Sequence, residues 1–453
     1  GGLNEEQKVQ EETPEENEQD AESVTASQTS GTCGENLKWE LDNGTLTISG
    51  TGEMNSYICS KTPWYNSVRN IEKIVIKQGV TDIGGYAFSY CSSLTSITIP
   101  SGVTDIGESA FYGCSSLTSI TIPSSVTDIG GSAFSDCSSL TSITIPDSVT
   151  FIGGSAFYGC SSLTNITIPS RVTSIGDCAF AWCSSLTSIT IPSSVTDIGG
   201  DAFAWCSSLT NITIPSRVTS ISEYTFYGCS SLTSITIPDR VTDIGGSAFR
   251  GCSSLTNITM PSRVTSISEY TFAGCSSLTS IVIPSRVTSI GWNAFSDCNN
   301  LKKITFPNSV TSVGYGAFYN SGKLSDIYYE GTEESWKKIC IAKQNECLTN
   351  AKIHYNSSAS SSTKRFSLKA SNGTVVFGKE NALFVDYEAS ANGKAESEEK
   401  LIKWESSNPS VAEIDQKSTG LIVSQDGNSG SGWINLLTYD VGSTVITGTS
   451  VDG

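Results

Sequence analysis

Cys91-Ser-Ser-Leu94-Thr-Ser-Ile97-Thr-Ile99-Pro100-Ser-Gly-Val103-Thr-Asp105-Ile106-Gly-Glu-Ser-Ala110-Phe111-Tyr-Gly113 is a unit that this chain goes on to repeat. The same phase returns every 23 residues, and ten cysteines mark it: Cys91, Cys114, Cys137, Cys160, Cys183, Cys206, Cys229, Cys252, Cys275 and Cys298. The apolar phase reaches one unit earlier through Ile71, Ile74 and Ile76. It also reaches one unit later, where Ser321 stands in for Cys and Leu324 keeps the leucine position. Self-similarity of this period is the mark of a stacked repeat, and twelve strands are expected between about residues 71 and 329.

Leu94-x-x-Ile97-x-Ile99 reads as the strand half of a leucine-rich repeat. The alternation turns Ile97 and Ile99 inward and leaves Ser96 and Thr98 outside. Pro100 has no N–H to give to a ladder, so it closes each strand. Val103, Ile106, Ala110, Phe111 and Cys114 then bring the chain back along the convex side. One unit alone cannot bury these side chains, whereas stacked units share a continuous core. The position of Asp105 holds Asp82, Asp128, Asp197 and Asp243, but also Ser174, Ser220, Ser266, Ser289 and Ser312, with Phe151 as the departure. Exchange of Asp with Ser predicts the N-cap of a short helical turn, and Ser220-x-x-Glu223 and Ser266-x-x-Glu269 read as capping boxes. Calcium held between rungs is the competing reading of this column. The serines argue against it, because they bind such a hard cation poorly. The expected fold is an α/β leucine-rich-repeat solenoid, right-handed and elongated, with a parallel concave sheet and short convex helical turns.

The ends differ from the middle. Residues 1–30 hold nine acidic residues against one Lys, a balance of −8, and are expected to form a disordered linker. Residues 31–67 are expected to form an N-terminal cap. Within them, Leu37-Lys-Trp39-Glu-Leu41 and Thr45-Leu46-Thr47-Ile48 flank Asn43-Gly44, the signature of a hairpin turn. The repeats proper run over 68–330. A C-terminal cap comes next over 331–355, where Thr332-Glu-Glu-Ser-Trp336-Lys-Lys-Ile339 reads as a short amphipathic helix. Residues 356–363 are a Ser-rich linker. Residues 364–453 become short alternating strands, expected to form an all-β sandwich.

The units Pro-Ser-Ser-Val-Thr-x-Ile-Gly-x-x-Ala-Phe-x-x-Cys-Ser-Ser-Leu resemble the BspA-like leucine-rich repeats of bacterial surface proteins. The caps Trp39 to Gly52 and Tyr328 to Trp336 look like that family too. The resemblance covers roughly residues 31–355 and implies display at the cell surface and adhesion to host matrix or to other cells. Trp404-Glu-Ser-Ser-Asn-Pro409-Ser-Val-Ala-Glu-Ile-Asp415 and Gly442 to Gly453 resemble bacterial Ig-like modules of surface adhesins. The final strand of such a module is missing after Asp452-Gly453, so either the module is trimmed or the native chain continues.

Composition narrows the function. A single His, His354, stands outside the repeats in what reads as a strand. Most hydrolytic triads, zinc sites and acid–base pairs draw on His. There is no nucleophile elbow and no Gly-rich phosphate loop. No catalytic residue, metal site or cofactor is therefore expected. A net charge of −18 would repel a phosphate backbone, so nucleic acid is not an expected partner. No run of 18 apolar residues suggests a membrane helix. Gly1-Gly2 reads as an expression scar, and a secretion signal cut away before it is an expectation compatible with that reading. The in-phase cysteines are expected to be buried free thiols. Only Cys33–Cys59 and Cys340–Cys347 are considered as bridges.

Two surfaces are candidates for binding. Asn165, Asn211 and Asn257 lie 46 residues apart on the outward Ser96 position, and each is followed six residues later by Arg171, Arg217 or Arg263. Arg240 and Arg286 fill adjoining rungs, so a basic edge borders the concave sheet. Duplication of a 46-residue pair is the plainer account of the pattern, since it copies a surface whether or not that surface works. Trp182 and Trp205, one repeat apart on the convex turn, are the second candidate, with lidding of the core as the plainer explanation. The expected protein is a monomeric, non-enzymatic, extracellular binder of host or matrix proteins or glycans, secreted or held at the bacterial cell surface. A passive spacer displaying other domains is the alternative.

Overall fold

The computed structural model describes residues 28–357 and, beyond them, the backbone of short strands between Ser367 and Ser450. The acidic stretch before residue 28, the Ser-rich stretch from 358 and the connections of the C-terminal segment lie outside the described residues. Strands Glu380–Glu388 and Ser429–Thr438 pair antiparallel, as do Ile402–Ser406 and Ile446–Ser450.

Each 23-residue unit makes one rung, and rungs pair parallel and in register. Ile120 of Ser119–Thr121 lies opposite Ile143 of Ser142–Thr144, and Ile166 opposite Ile189. The inward isoleucines are buried along most of the sheet. Eleven of the twelve expected concave strands form, from Lys73–Ile76 to Asp326–Tyr329. The rung at 257–260 does not form one. There Met260 stands where the other rungs carry Ile, Phe or Tyr.

The convex side corrects the expectation of helical turns. The Asp105 column does not cap a helix. Asp105–Ile106 is itself a strand, paired in parallel with Val80–Ile83 on one side and Asp128–Ile129 on the other. Ser220 and Ser266 likewise begin short strands rather than capping boxes. The next residues turn twice through left-handed backbone, at Ser109 (φ 54°) and Gly113 (φ 69°). Their amides are given to the following rung: Ser109 N–H to Gly131 O at 2.9 Å, Phe111 N–H to Ala133 O at 2.8 Å and Gly113 N–H to Ser135 O at 2.8 Å. An α-helix needs consecutive right-handed residues and amides bonded within their own turn. Here left-handed residues break the run, and every second amide leaves for the next rung while Ala110 and Tyr112 N–H close only three-residue turns on Gly107 O and Ser109 O at 3.2 and 3.1 Å, so among the described residues α-helix occurs only at Glu333–Trp336 and Glu346–Asn350.

Inside runs a ladder of eleven phenylalanines, Phe88 to Phe318, with ring centroids 5.1–5.7 Å apart. Trp64 stacks on its first ring at 5.9 Å and itself meets Trp39 of the N-terminal hairpin edge-on. Asn43 and Gly44 turn that hairpin with φ of 44° and 75°, as its sequence predicts. At the other end Thr332 caps the helix Glu333–Trp336, accepting from Ser335 N–H at 3.2 Å, and buried Trp336 packs on Phe306 and Tyr329.

All fifteen cysteines are unbridged, including Cys33, Cys59, Cys340 and Cys347. The ten in-phase thiols are fully buried. From Cys114 onward each donates to the phenylalanine carbonyl of the preceding rung, as Cys114 does to Phe88 O at 3.2 Å. Burial alone pushes Cys91 up to about 12, and it is the largest influence on Cys183 and Cys229, which also rise to about 12. These thiols are packing and hydrogen-bonding groups rather than nucleophiles.

Candidate functional site

The second residue after the strand-ending proline sets the character of the concave edge. Where the repeat carries Ser at that position, the hydroxyl turns back and donates to the preceding rung: Ser194 to Val172 O at 2.6 Å, Ser309 to Val287 O at 2.7 Å. Arg cannot make that short bond, so its side chain is sent outward. Arg171, Arg217, Arg240, Arg263 and Arg286 are all exposed, and none forms an ion pair with a described residue. Stacking places Arg217, Arg240, Arg263 and Arg286 on four consecutive rungs, while the rung of Ser194 separates Arg171 from them. Asn165, Asn211 and Asn257 are exposed on alternate rungs and donate only to the preceding threonine, Asn211 Nδ2 to Thr210 Oγ1 at 3.2 Å. Their carbonyl oxygens stay open to solvent.

Trp182 and Trp205 sit at left-handed positions (φ 63° and 61°) on the convex turn. Their indoles stack at 4.9 Å, 46% and 36% exposed, so they form an outer layer over the turn rather than a lid on the core. Sequence reasoning missed the surroundings of this pair. Arg250 lies over Tyr270 at 4.8 Å and Tyr227 at 5.7 Å. Beyond Trp205, the column that holds the indoles becomes Gly228, Gly251 and Gly274, opening a hollow of about 480 Å³. A second hollow, of about 650 Å³, lies between Tyr224, Tyr270 and Trp292, with Glu223 and Glu269 beside it. The one signal of the first hollow in the sequence is the run of Gly-Cys at three successive units. It looked like the Gly-Cys of units 113–114 and 159–160, which stand alone.

His354 is a strand residue in Lys352–His354, stacked on Tyr328 at 4.7 Å, with its Nε2 2.8 Å from Asp326 Oδ1. That contact holds the Asp326 carboxyl below its usual value. The Ser325 hydroxyl donates to the other oxygen, Asp326 Oδ2, at 2.7 Å, so it sits on the carboxylate rather than on the imidazole. Among the described residues no group of three or more His, Cys, Asp or Glu side chains could hold a metal ion, and no helix is long and apolar enough to cross a membrane.

A parallel-stranded solenoid of about twelve turns with long exposed side-chain columns is a leucine-rich-repeat protein in architecture. The model of the BspA type leucine rich repeat region matches residues 60–186, 150–279, 219–348 and 265–372. The chain belongs to that family. Among solved structures it is 32% identical to a leucine rich cell surface protein from Faecalibacterium prausnitzii, over 70% of this chain and 99% of that one, with a TM-score of 0.46. A leucine-rich repeat protein from Bacteroides ovatus is 27% identical, with 71% and 98% covered and a TM-score of 0.52. One from Eubacterium ventriosum is 28% identical, with 65% and 90% covered and a TM-score of 0.49. A search of curated proteins finds no match.

Proposed function

We propose that this is a non-catalytic adhesion protein, displayed outside the cell, that recognises host or matrix proteins or acidic glycans through the edge of its concave sheet. The observation that carries this is the row of guanidinium groups on consecutive rungs, unpaired within the described residues of a protein with a net charge of −18. Such a row suits carboxylate or sulfate groups spaced along a partner. Membership of the BspA-type family supports the extracellular setting. The C-terminal strands fit a bacterial Ig-like module that lifts the repeats away from the cell wall.

The test is adhesion of the full chain to immobilised matrix proteins and sulfated or carboxylated glycans, at low and moderate salt. It is repeated with Arg171, Arg217, Arg240, Arg263 and Arg286 all changed to Ser. Serine is already accommodated at this position, where it bonds the preceding rung, so the fold is retained. Binding is expected to weaken with salt and to be lost in the variant, because exposed charges are screened within about 10 Å at 0.1 M salt. Adhesion that survives both changes removes the edge from the mechanism.

A further inference from the structure

The column of Trp182 and Trp205 ends abruptly, and its ending makes a second surface unlike the first. Rung by rung it reads Trp182, Trp205, Gly228, Gly251, Gly274, Asp297, Asn320, all in left-handed backbone. The two indoles stack at 4.9 Å, close to the spacing of neighbouring strands. On the next rung Tyr227 meets Trp205 edge-on at 5.1 Å, and no parallel ring follows among the described residues. A Cβ on Gly228 would come within 2.7 Å of the Trp205 ring, so the absence of one lets the indole lie down over that rung. Gly251 and Gly274 then form an open backbone floor.

The walls are as specific as the floor. Trp205 closes one end, and Asp297 the other, its Oδ1 accepting from Asn320 Nδ2 at 2.7 Å. Arg250 stands along the side, held by the rings of Tyr227 and Tyr270. One fixed cation and one fixed anion leave this trough neutral inside an acidic protein, unlike the Arg edge. Flat apolar rings next to fixed polar donors and acceptors match a ring-shaped ligand that has apolar faces and a hydroxyl rim.

We infer that this trough is a carbohydrate site that takes a short neutral oligosaccharide, one sugar ring packing against the exposed part of the Trp205 indole and the remaining rings lying over Gly251 and Gly274. Arg250 and Asp297 hydrogen-bond the sugar hydroxyls. The inference does not require the Arg edge to bind anything, and the two surfaces are separable by mutation.

The experiment uses the full chain and a panel of neutral linear tetrasaccharides built from glucose, galactose, mannose or N-acetylglucosamine. Binding is read by calorimetry and by the shift of tryptophan emission, since both indoles are partly exposed. Two variants test the site. Trp205→Ala removes the stacking face. Gly251→Trp fills the floor at a backbone position where Trp182 and Trp205 show that tryptophan is accepted. At least one member of the panel is expected to bind and shift the emission. Both variants should lose about tenfold or more in affinity, with unchanged far-ultraviolet circular dichroism, while the five-Arg variant binds the sugar like the parent. No binding across the panel, or equal binding by Gly251→Trp, overturns the inference. Loss of adhesion in the five-Arg variant alone bears on the edge and leaves this site untouched.

Discussion

The in-phase cysteine shows how much one residue per rung decides. Its sulfur fills the core and satisfies a phenylalanine carbonyl, and Ser321 does the same at the last rung, donating to Phe295 O at 2.7 Å. Cys206→Ser is therefore expected to cost within about 1 kcal/mol, since the hydrogen bond is kept. Cys206→Leu should cost about 1–3 kcal/mol from overpacking, and it leaves Phe180 O with the Cys183 N–H as its remaining donor. Thermal unfolding of the two variants checks the order. The same burial has a pH consequence. Cys183 and Cys229 keep their protons up to about 12 in the folded chain, against an ordinary value of 9.0. Above the ordinary value the unfolded chain has lost protons that the folded chain still holds, so stability falls as pH rises. Denaturant midpoints should be flat near neutrality and drop steeply from about pH 9 upward, and conversion of several column cysteines to Ser should flatten that drop. The sequence made the thiols legible as core through their phase. It hid their hydrogen bond, because the acceptor lies 26 residues away on another rung.

At the scale of the element, the strand half of each rung was legible and the return half was not. Alternating isoleucines before a proline allow one reading. The Asp/Ser column reads as a helix cap or, less well, a calcium site, and the strand that forms is neither, because capping chemistry resembles the chemistry of a polar strand edge. What excludes the helix is the left-handed backbone at the Ser109 column, occupied also by Tyr86, Cys178 and Tyr270, residue types that do not advertise it. Ser132, at φ 55°, makes the point testable. Ser132→Gly should be neutral or slightly stabilising, and Ser132→Val should cost about 1–2 kcal/mol, because an L-residue pays roughly that for left-handed backbone. Interrupting the aromatic ladder is a larger insult. Phe203→Ala leaves a ring-sized void between Phe180 and Phe226 and is expected to cost about 3–5 kcal/mol by chemical denaturation.

On the scale of the whole molecule, function depends on columns rather than on any single rung. Twelve rungs at roughly 4.8 Å give a stack about 55 Å long, so small-angle scattering of the purified chain should show an elongated particle; a compact sphere would contradict the architecture. The Arg edge was readable from the repeat phase, since residues 23 apart stand on neighbouring rungs, as Arg217, Arg240, Arg263 and Arg286 do. The glycine floor was not, because three missing side chains have no chemistry of their own and acquire meaning only beside Trp205, Arg250 and Asp297.

The rungs are joined on every face by bonds from one unit to the next, and successive units are nearly interchangeable. Such a chain can change its length by whole units without changing its register. Excising residues 161–206 would seat the rung that begins at Ser207 on the one that ends at Cys160, matching every ladder, while removing Trp182, Trp205 and Arg171. A protein shortened in this way should still melt cooperatively and keep its edge of four arginines, yet carry no indole platform. Slippage during replication of so repetitive a gene would then be a means of variation, altering reach and ligand range in single heritable steps that leave the fold intact.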